Sequence, residues 1–361
     1  MKKICLIGNA GRGKMATDGQ RIKVQTYQKV LAKEGFEVFF VELDNSKLRL
    51  LKILSDIKKN IRICDIVILI TSDNGEKILV PYINRINKKY NKKFIFSHIG
   101  TSSLYHYIKD LNETQKTDFF FNHNFYGLVP NKRYRNQLNQ INIILPETDL
   151  ITNAYAKFYD LNNCITLTNF RLCEDRTFNP RLQNGDFKII YLSRITSEKG
   201  IFDLIDVVSN LVQKGFNVTL DIYGDFQLSK EELIEFNSKM NSFIRYKGPL
   251  ANNLAIQTIS QYDLTCFPTR CKGEGVPGVI VESLLAGVPV LTSNFSQASQ
   301  ILIENKDSLF FEIYDPNSLK EKLEFLIKNP DILFSLKKEA FESGFKYSYD
   351  YSRDKLLALL K

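Results

Sequence analysis

Glu274 and Glu282 bracket seven residues in the stretch GEGVPGVIVESLLAGVPVLTS, which joins paired carboxylates to closely spaced glycines. Gly273, Gly275 and Gly278 let backbone N–H groups approach a ligand, because glycine has no Cβ in the way. The apolar run Val279–Ala286 predicts a helix, Gly287 its C-terminal stop, and VPVLTS a buried strand. A helix N-terminus offers unpaired N–H donors and partial positive charge, which suits a phosphate. Ionised carboxylates only accept hydrogen bonds, so two of them suit a ligand rich in hydroxyl groups. A phosphate site flanked by two hydroxyl acceptors fits a nucleotide sugar. The E-x7-E spacing by itself also fits a solvated glutamate pair beside an ordinary helix start.

Two cations stand nearby in the pattern. Arg194 follows the predicted strand FKIIYLS, and Lys199 precedes the predicted helix IFDLIDVVSNLVQKG. From such positions an arginine fork and a lysine point charge can both reach a diphosphate; otherwise they are solvated surface charges. Gly8–Lys14 matches G-x-x-x-x-G-K after a strand, as in phosphate loops of NTPases. Met15, however, stands where a hydroxyl would hold Mg²⁺, and the helix begins late, after Thr17-Asp18-Gly19-Gln20. Both departures speak against NTP hydrolysis. His98 ends the strand KFIFSHIG, where it either touches a ligand or serves as a hydrogen-bonded structural histidine. His106 and His123 have no evident partner. The cysteines (Cys5, Cys64, Cys164, Cys173, Cys266 and Cys271) form no CxxC pair, as expected for reduced thiols of a cytosolic protein without a metal site.

These residues need a frame to hold them. A chain of 361 residues exceeds what one hydrophobic core usually supports, so two domains are expected. The first half alternates strand and helix: KKICLIGNA, IKVQTYQKVLAKEG, FEVFFVEL, KLRLLKILSDIKKNI, DIVILIT, ILVPYINRINKKY, KFIFSHIG, and then the short strands INIILPE and CITLTN. Periodicity lapses over 170–186, a predicted linker. It restarts over 187–345 with FKIIYLS, FNVTLDIYG, FIRYKG, DLTCFPT and VPVLTS as further strands. A tail, 346–361, is expected to pack back toward the first domain, 1–169. Continuous apolar strands between helices are the mark of parallel α/β sheets covered on both faces. Ligands of such sheets sit beyond the C-terminal strand ends, which points to the cleft between two α/β halves.

Charge is unevenly placed. Residues 1–170 hold 26 Lys and Arg against 15 Asp and Glu, and the remainder 23 against 25. The basic half expects an anionic partner: nucleic acid, lipid headgroups or a pyrophosphate-bearing substrate. The stretch Asp118–Arg135 (DFFFNHNFYGLVPNKRYR) mixes aromatics with basic residues. It reads either as an interfacial membrane contact or as a packed aromatic helix followed by a solvated turn. No segment approaches the length of a membrane span, and the N-terminus turns to glycine too early for a signal peptide, so the expected location is cytoplasmic, at the inner face of the membrane where it meets one.

The second half resembles the retaining glycosyltransferase family 4. The resemblance rests on YLSRITSEKGIFDLID, VTLDIYGD, FIRYKGPL, DLTCFPTRCKGEGVPGVIVESLLAGVPVLTS and DSLFFEIYDPNSLKEKLEFLI in that order, spanning about Phe187–Asn329. The first half matches more loosely. The resemblance implies the GT-B architecture, two Rossmann-like parallel α/β domains facing across a cleft, and transfer of a sugar from a nucleotide-diphosphate donor to a glycan or lipid-linked acceptor with retention and without a metal or other cofactor. It implies that Arg194 and Lys199 hold the diphosphate, Glu282 the ribose and Glu274 the donor sugar. Backbone N–H groups at Val279 and Ile280 would complete the phosphate pocket, with Gly224 and the Gly248–Leu250 turn beside the base. Lys14 and Gly19 belong to a loop over donor and acceptor, and His98 to the donor sugar or acceptor. The type implied is bacterial surface polysaccharide synthesis, as lipopolysaccharide or capsule, with peripheral membrane association and no nucleic acid as partner. A sugar-nucleotide 2-epimerase of the same architecture and a non-enzymatic basic protein binding nucleic acid or membrane are the alternatives.

Overall fold

The computed structural model describes the chain except residues 12–18, 45–48, 72, 100–128, 174–175, 182–184, 272–273 and 296. The chain divides into two compact units, Met1–Asn169 with Arg353–Lys361, and Phe170–Ser352. Lys14, Gly273, His106, His123 and the aromatic part of the Asp118–Arg135 stretch lie outside the described residues.

The first unit is built on a five-stranded, all-parallel sheet: β1 (Lys3–Gly8), β2 (Glu37–Glu42), β3 (Ile66–Thr71), β4 (Lys93–His98) and β5 (Ile143–Leu145), in the order β2-β1-β3-β4-β5. Helices α1 (Gly19–Lys33), α2 (Leu50–Ile63) and α3 (Asp73–Tyr90) connect its strands, and α4 (Lys132–Leu138) and α5 (Asp149–Tyr159) follow. β3 is buried at every residue, as a strand covered on both faces must be. In α2 the buried residues Ile53, Ile57 and Ile61 recur every four positions, so one apolar stripe meets the sheet while the lysines face water.

Two segments differ from the sequence reading. INIILPE yields a strand only over Ile143–Leu145, because Pro146 has no N–H to continue the ladder. CITLTN does not form a strand; it runs beside β5 through a bridge between Ile144 and Cys164 and a bond from Leu167 N–H to the Pro146 carbonyl (2.9 Å). Between them lies α5, which the sequence reading did not include. Thr148 caps it by accepting from the Ile151 N–H (3.2 Å), Asp149 favours its first turn, and Asp160 ends it in the left-handed conformation at φ 50°.

The second unit carries six parallel strands, β6 (Phe187–Leu192), β7 (Val218–Tyr223), β8 (Ile244–Gly248), β9 (Leu264–Phe267), β10 (Val290–Ser293) and β11 (Ser308–Phe311), in the order β11-β10-β9-β6-β7-β8. Its helices are α6 (Ile201–Gln213), α7 (Lys230–Ser238), α8 (Ala255–Ile259), α9 (Gly278–Ala286), α10 (Ala298–Ile301), α11 (Pro316–Lys328) and α12 (Pro330–Gly344). The strand order reverses between β6 and β9. Chain connections diverge there, and the loops leave a crevice beyond the C-terminal strand ends where a ligand fits.

The described residues of 170–186 belong to the second unit. Three arginines five residues apart tie them down: Arg171 to Glu282, Arg176 to the carbonyls of Leu284 and Leu285 (3.3 Å each), and Arg181 to Asp263. Asp263 is fully buried and also takes Lys337 (2.7 Å) and the Lys188 N–H (2.9 Å), so its charge is neutralised from several sides. A final helix, α13 (Tyr349–Leu359), leads into residues that fold with the first unit. There Arg353 grips Glu34 with both nitrogens (2.8 and 2.7 Å), and Lys2 donates to the Leu360 carbonyl (3.1 Å).

Candidate active site

The strand ends on either side of the β6/β9 switch point carry most of the residues singled out in the second half. After β6 the chain turns through Ser193 and Arg194 and pairs with the loop after β7. Ile195 N–H donates to the Asp225 carbonyl (2.9 Å) and Gln227 N–H to the Ile195 carbonyl (3.0 Å). Arg194 is exposed, with Nη1 3.3 Å from Gln227 Oε1, while its carbonyl accepts from the Tyr191 hydroxyl (3.0 Å). Burial raises the Tyr191 phenol well above its ordinary value; Glu274 adds to the rise and Arg194 opposes it, so both charges act on one buried hydroxyl. The next turn, Ser197–Lys199, is a single 3₁₀ turn braced by a hydrogen bond from Ser197 to Glu232, the capping-box residue of α7.

Gly200 then enters α6 at φ 69°, and a Cβ there would run into the Pro268 carbonyl at the end of β9. That close approach brings the β6 and β9 loops together. Lys199 is buried and its ammonium pairs with Glu274 Oε1, 5.3 Å above the Phe267 ring. The same carboxylate oxygen accepts from the Thr269 hydroxyl (3.0 Å). An ammonium, a carboxylate and a hydroxyl thus converge where two strands end, each able to exchange its present partner for a ligand of matching polarity.

Gly275, Val276 and Pro277 lead from Glu274 into α9. Pro277 is the N-cap residue and gives no side-chain cap. The Ile280 and Val281 N–H groups turn back to the Pro277 carbonyl (3.1 and 3.4 Å). Of the two donors expected from the family pattern, Ile280 is therefore committed within the turn. Val279, with Gly278, belongs to the first-turn groups that a helix leaves without an intrahelical acceptor. One turn further along α9, Glu282 is buried and accepts from Arg171 Nε (2.9 Å). Burial raises its carboxyl above the ordinary value, and the Arg171 charge and hydrogen bond offset only part of that rise.

Gly224 and Gly248 end the neighbouring strands. Gly224 sits at φ 145°, with the Ser193 carbonyl where a side chain would be, and its N–H donates to the Gly248 carbonyl (3.1 Å). Gly248, at φ 83°, has open space around it, and Leu250 is half-buried two residues on. Arg194, Lys199, Glu274, Gly224 and Gly248 thus share one edge of one sheet, with Gly275 and α9 on the loop after β9. Arg171, Tyr191, Gln227 and Thr269 belong to the same region, and the sequence reading did not include them.

In the first unit the picture differs. The Ala10 and Gly11 N–H groups, which a phosphate loop would offer to a nucleotide, are taken by Glu42 Oε1 (2.9 and 3.1 Å). Gly19 opens α1 and is exposed, with nothing within 4 Å of where a Cβ would stand. His98 is fully enclosed, edge-on to Phe96 and Tyr155, with Nε2 3.9 Å from Glu76. Its carbonyl accepts from Lys23, which also pairs with buried Glu147 (2.8 Å). Burial first, and then the Lys23 charge, lower the imidazole to about 3, so the ring is neutral at physiological pH. This is an interior histidine with fixed neighbours.

Among the described residues no group of three or more His, Cys, Asp or Glu could hold a metal ion, and no helix is long and apolar enough to cross a membrane.

The second unit's sequence and the fold have counterparts among known proteins. Residues 174–343 match the family described as glycosyl transferases group 1. CapM of Staphylococcus aureus, a capsular polysaccharide biosynthesis glycosyltransferase, is 28% identical over 159 residues, which are 42% of this chain and 40% of that protein. The chain therefore spans well under two thirds of that relative's length. Sucrose-phosphate synthase from Thermosynechococcus elongatus superposes with a TM-score of 0.75 at 13% identity, covering 100% of this chain and 98% of the other. Anabaena HepE, solved in complex with UDP-glucose, gives 0.72 at 13% identity, with 100% and 99% covered. Likeness at that identity speaks for the fold, and the fold is GT-B. Over residues 174–343, just under half of its length, the chain is similar to the glycosyl transferases group 1.

Proposed function

We propose that the protein transfers a sugar, with retention, from a nucleotide-diphosphate donor to a hydroxyl of a glycan or lipid-linked acceptor in surface polysaccharide synthesis. The observation that carries the reading is the convergence of Lys199, Glu274 and Thr269 at the β6/β9 switch point, next to the start of α9. Without a donor, Lys199 and Glu274 satisfy one another. A bound donor would exchange that pair for two better-matched partners, the diphosphate at Lys199 and a sugar hydroxyl at Glu274.

As the bond to the sugar breaks, negative charge grows on the diphosphate. Lys199, the exposed guanidinium of Arg194 and the first N–H groups of α9 would receive it, and fixed charges in a partly dry site stabilise it more than water does. In this scheme no metal ion is required, and the acceptor attacks from the face the leaving group has just vacated. Glu282 takes the ribose hydroxyls. CapM's name supports the polysaccharide context, and HepE's bound UDP-glucose makes that donor the first to try. The basic first unit would bring the enzyme to an anionic membrane surface on the cytoplasmic side, close to lipid-linked acceptors.

Thermal unfolding with a panel of nucleotide sugars is the test. One of them should raise the transition temperature by mass action, and the Lys199→Met protein should lose that rise. A chain that none of the panel stabilises does not carry this function.

A further inference from the structure

Arg171 closes the loosely matching boundary segment CITLTNFR, ahead of the matched residues 174–343, yet its guanidinium reaches the donor glutamate. Arg171 is 3% exposed, with Nε 2.9 Å from Glu282 Oε1 and Nη1 3.1 Å from the Phe170 carbonyl. Its backbone is fixed as well: the N–H donates to the Tyr347 carbonyl (2.9 Å), and its carbonyl accepts from the Tyr349 N–H (2.8 Å). A Cβ on Gly278 would stand 2.5 Å from Arg171 Nη2, so the guanidinium occupies space that only glycine leaves free on the first turn of α9. A cation is an unfavourable neighbour for a helix N-terminus, so this placement needs the carboxylate one turn further along to hold it.

We infer that Arg171 is a positioning residue for donor recognition: it fixes Glu282 as an ionised carboxylate, presented to accept the ribose hydroxyls of the nucleotide. The inference rests on the nucleotide-sugar reading above and adds to it a residue that acts on the ribose through Glu282. Without the guanidinium, a carboxyl enclosed this fully takes up a proton and turns part of its accepting capacity into a donor. Ribose recognition then suffers while the diphosphate contacts stand.

The experiment measures binding of UDP, ADP and GDP to the full chain by calorimetry, then the 2′,3′-dideoxy form of the tightest of them, then inorganic pyrophosphate. Arg171→Met should weaken the ribonucleotide about tenfold or more, the loss expected when a charge-assisted hydrogen-bonding arrangement is broken. It should bind the dideoxy form and pyrophosphate with the affinity of the unaltered protein, since neither offers Glu282 a hydroxyl. Arg171→Lys should recover part of the loss by restoring the charge. An equal loss for the ribonucleotide and the dideoxy form would make Arg171 a structural brace only, and weakened pyrophosphate would make it a diphosphate ligand; either result overturns the inference. If Arg171→Met does not fold, Arg171→Lys and Gly278→Ala carry the same contrast. Failure of the unaltered chain to bind any of the three diphosphates overturns the nucleotide-sugar reading and this inference with it; binding that is unchanged in Arg171→Met overturns the inference alone.

Discussion

Replacing Lys199 by methionine keeps an apolar stem of similar length and deletes one charge. The side chains of Lys199 and Glu274 are 9% and 13% exposed, so the carboxylate left behind is largely out of water, with the Thr269 hydroxyl still 3.0 Å away. Removing one partner of a buried pair costs about 3–5 kcal/mol. The remaining hydroxyl and the exposed tenth of each side chain bring the expectation to about 2–3 kcal/mol. Turning Glu274 into glutamine in the same protein removes the stranded charge and should return the loss to about 1 kcal/mol. Urea unfolding followed by circular dichroism measures both, from the midpoint and slope of the second unit's transition. Turnover separates stability from chemistry: the double variant should regain stability and still fail to transfer sugar, since nothing replaces the cation at the diphosphate. A Lys199→Met protein within about 0.5 kcal/mol of the unaltered chain, the scatter of an ordinary surface substitution, would refute the enclosed pair and the reasoning built on it.

Other expectations concern the frame. His98 is held near 3 when folded against about 6.5 when unfolded, so below pH 6.5 the unfolded chain binds the extra proton and stability falls as pH falls, levelling off near pH 3. Between pH 7.5 and 5 this amounts to about 2 kcal/mol, and His98→Gln should remove that much of the pH dependence measured by urea unfolding. Gly224→Ala should cost about 2 kcal/mol or more or prevent folding, because φ is 145° and the Ser193 carbonyl fills the site; Gly19→Ala, with open space around it, should leave the melting temperature within a degree or two. Lys337→Met strips one cation from fully buried Asp263 and should destabilise the second unit by about 2–3 kcal/mol, less than full isolation would, because Arg181 and the Lys188 N–H remain. Glu282→Ala should raise the donor KM sharply and leave kcat less affected, as loss of binding to a part of the donor that does not react.

The alternation of apolar strands with amphipathic helices was legible because two covered sheets leave a periodic trace; of the eleven described strands only β11 escaped it, while CITLTN mimicked it without forming a strand. That Lys199 and Glu274 stand at neighbouring strand ends was legible from type and position, since strand ends of parallel sheets collect ligand contacts; that they pair with one another was not. Arg171 was not legible. It stands in FRLCEDRTFNPRLQNGD, whose lost periodicity, Pro180 and Gly185 read as a linker, whereas three arginines there each find a buried acceptor. No local pattern announces a partner 111 residues away. Helix α5 was not legible for a local reason: Pro146 and the flanking strand-like runs mask Thr148-Asp149, a sound helix start. His98 showed the limit of position alone, because a strand end can face a ligand or an interior, and only the packing of Phe96, Tyr155 and Glu76 around it decides.

The central claim is that cations at the β6/β9 switch point receive the charge of a departing diphosphate. Once the panel has identified a donor, release of nucleoside diphosphate from it, with acceptor present, should be timed for the unaltered protein, Arg194→Met and Lys199→Met. The account predicts that each variant loses about a hundredfold or more in kcat, the scale on which a transition-state contact acts, while remaining folded. Full turnover by both variants would contradict it.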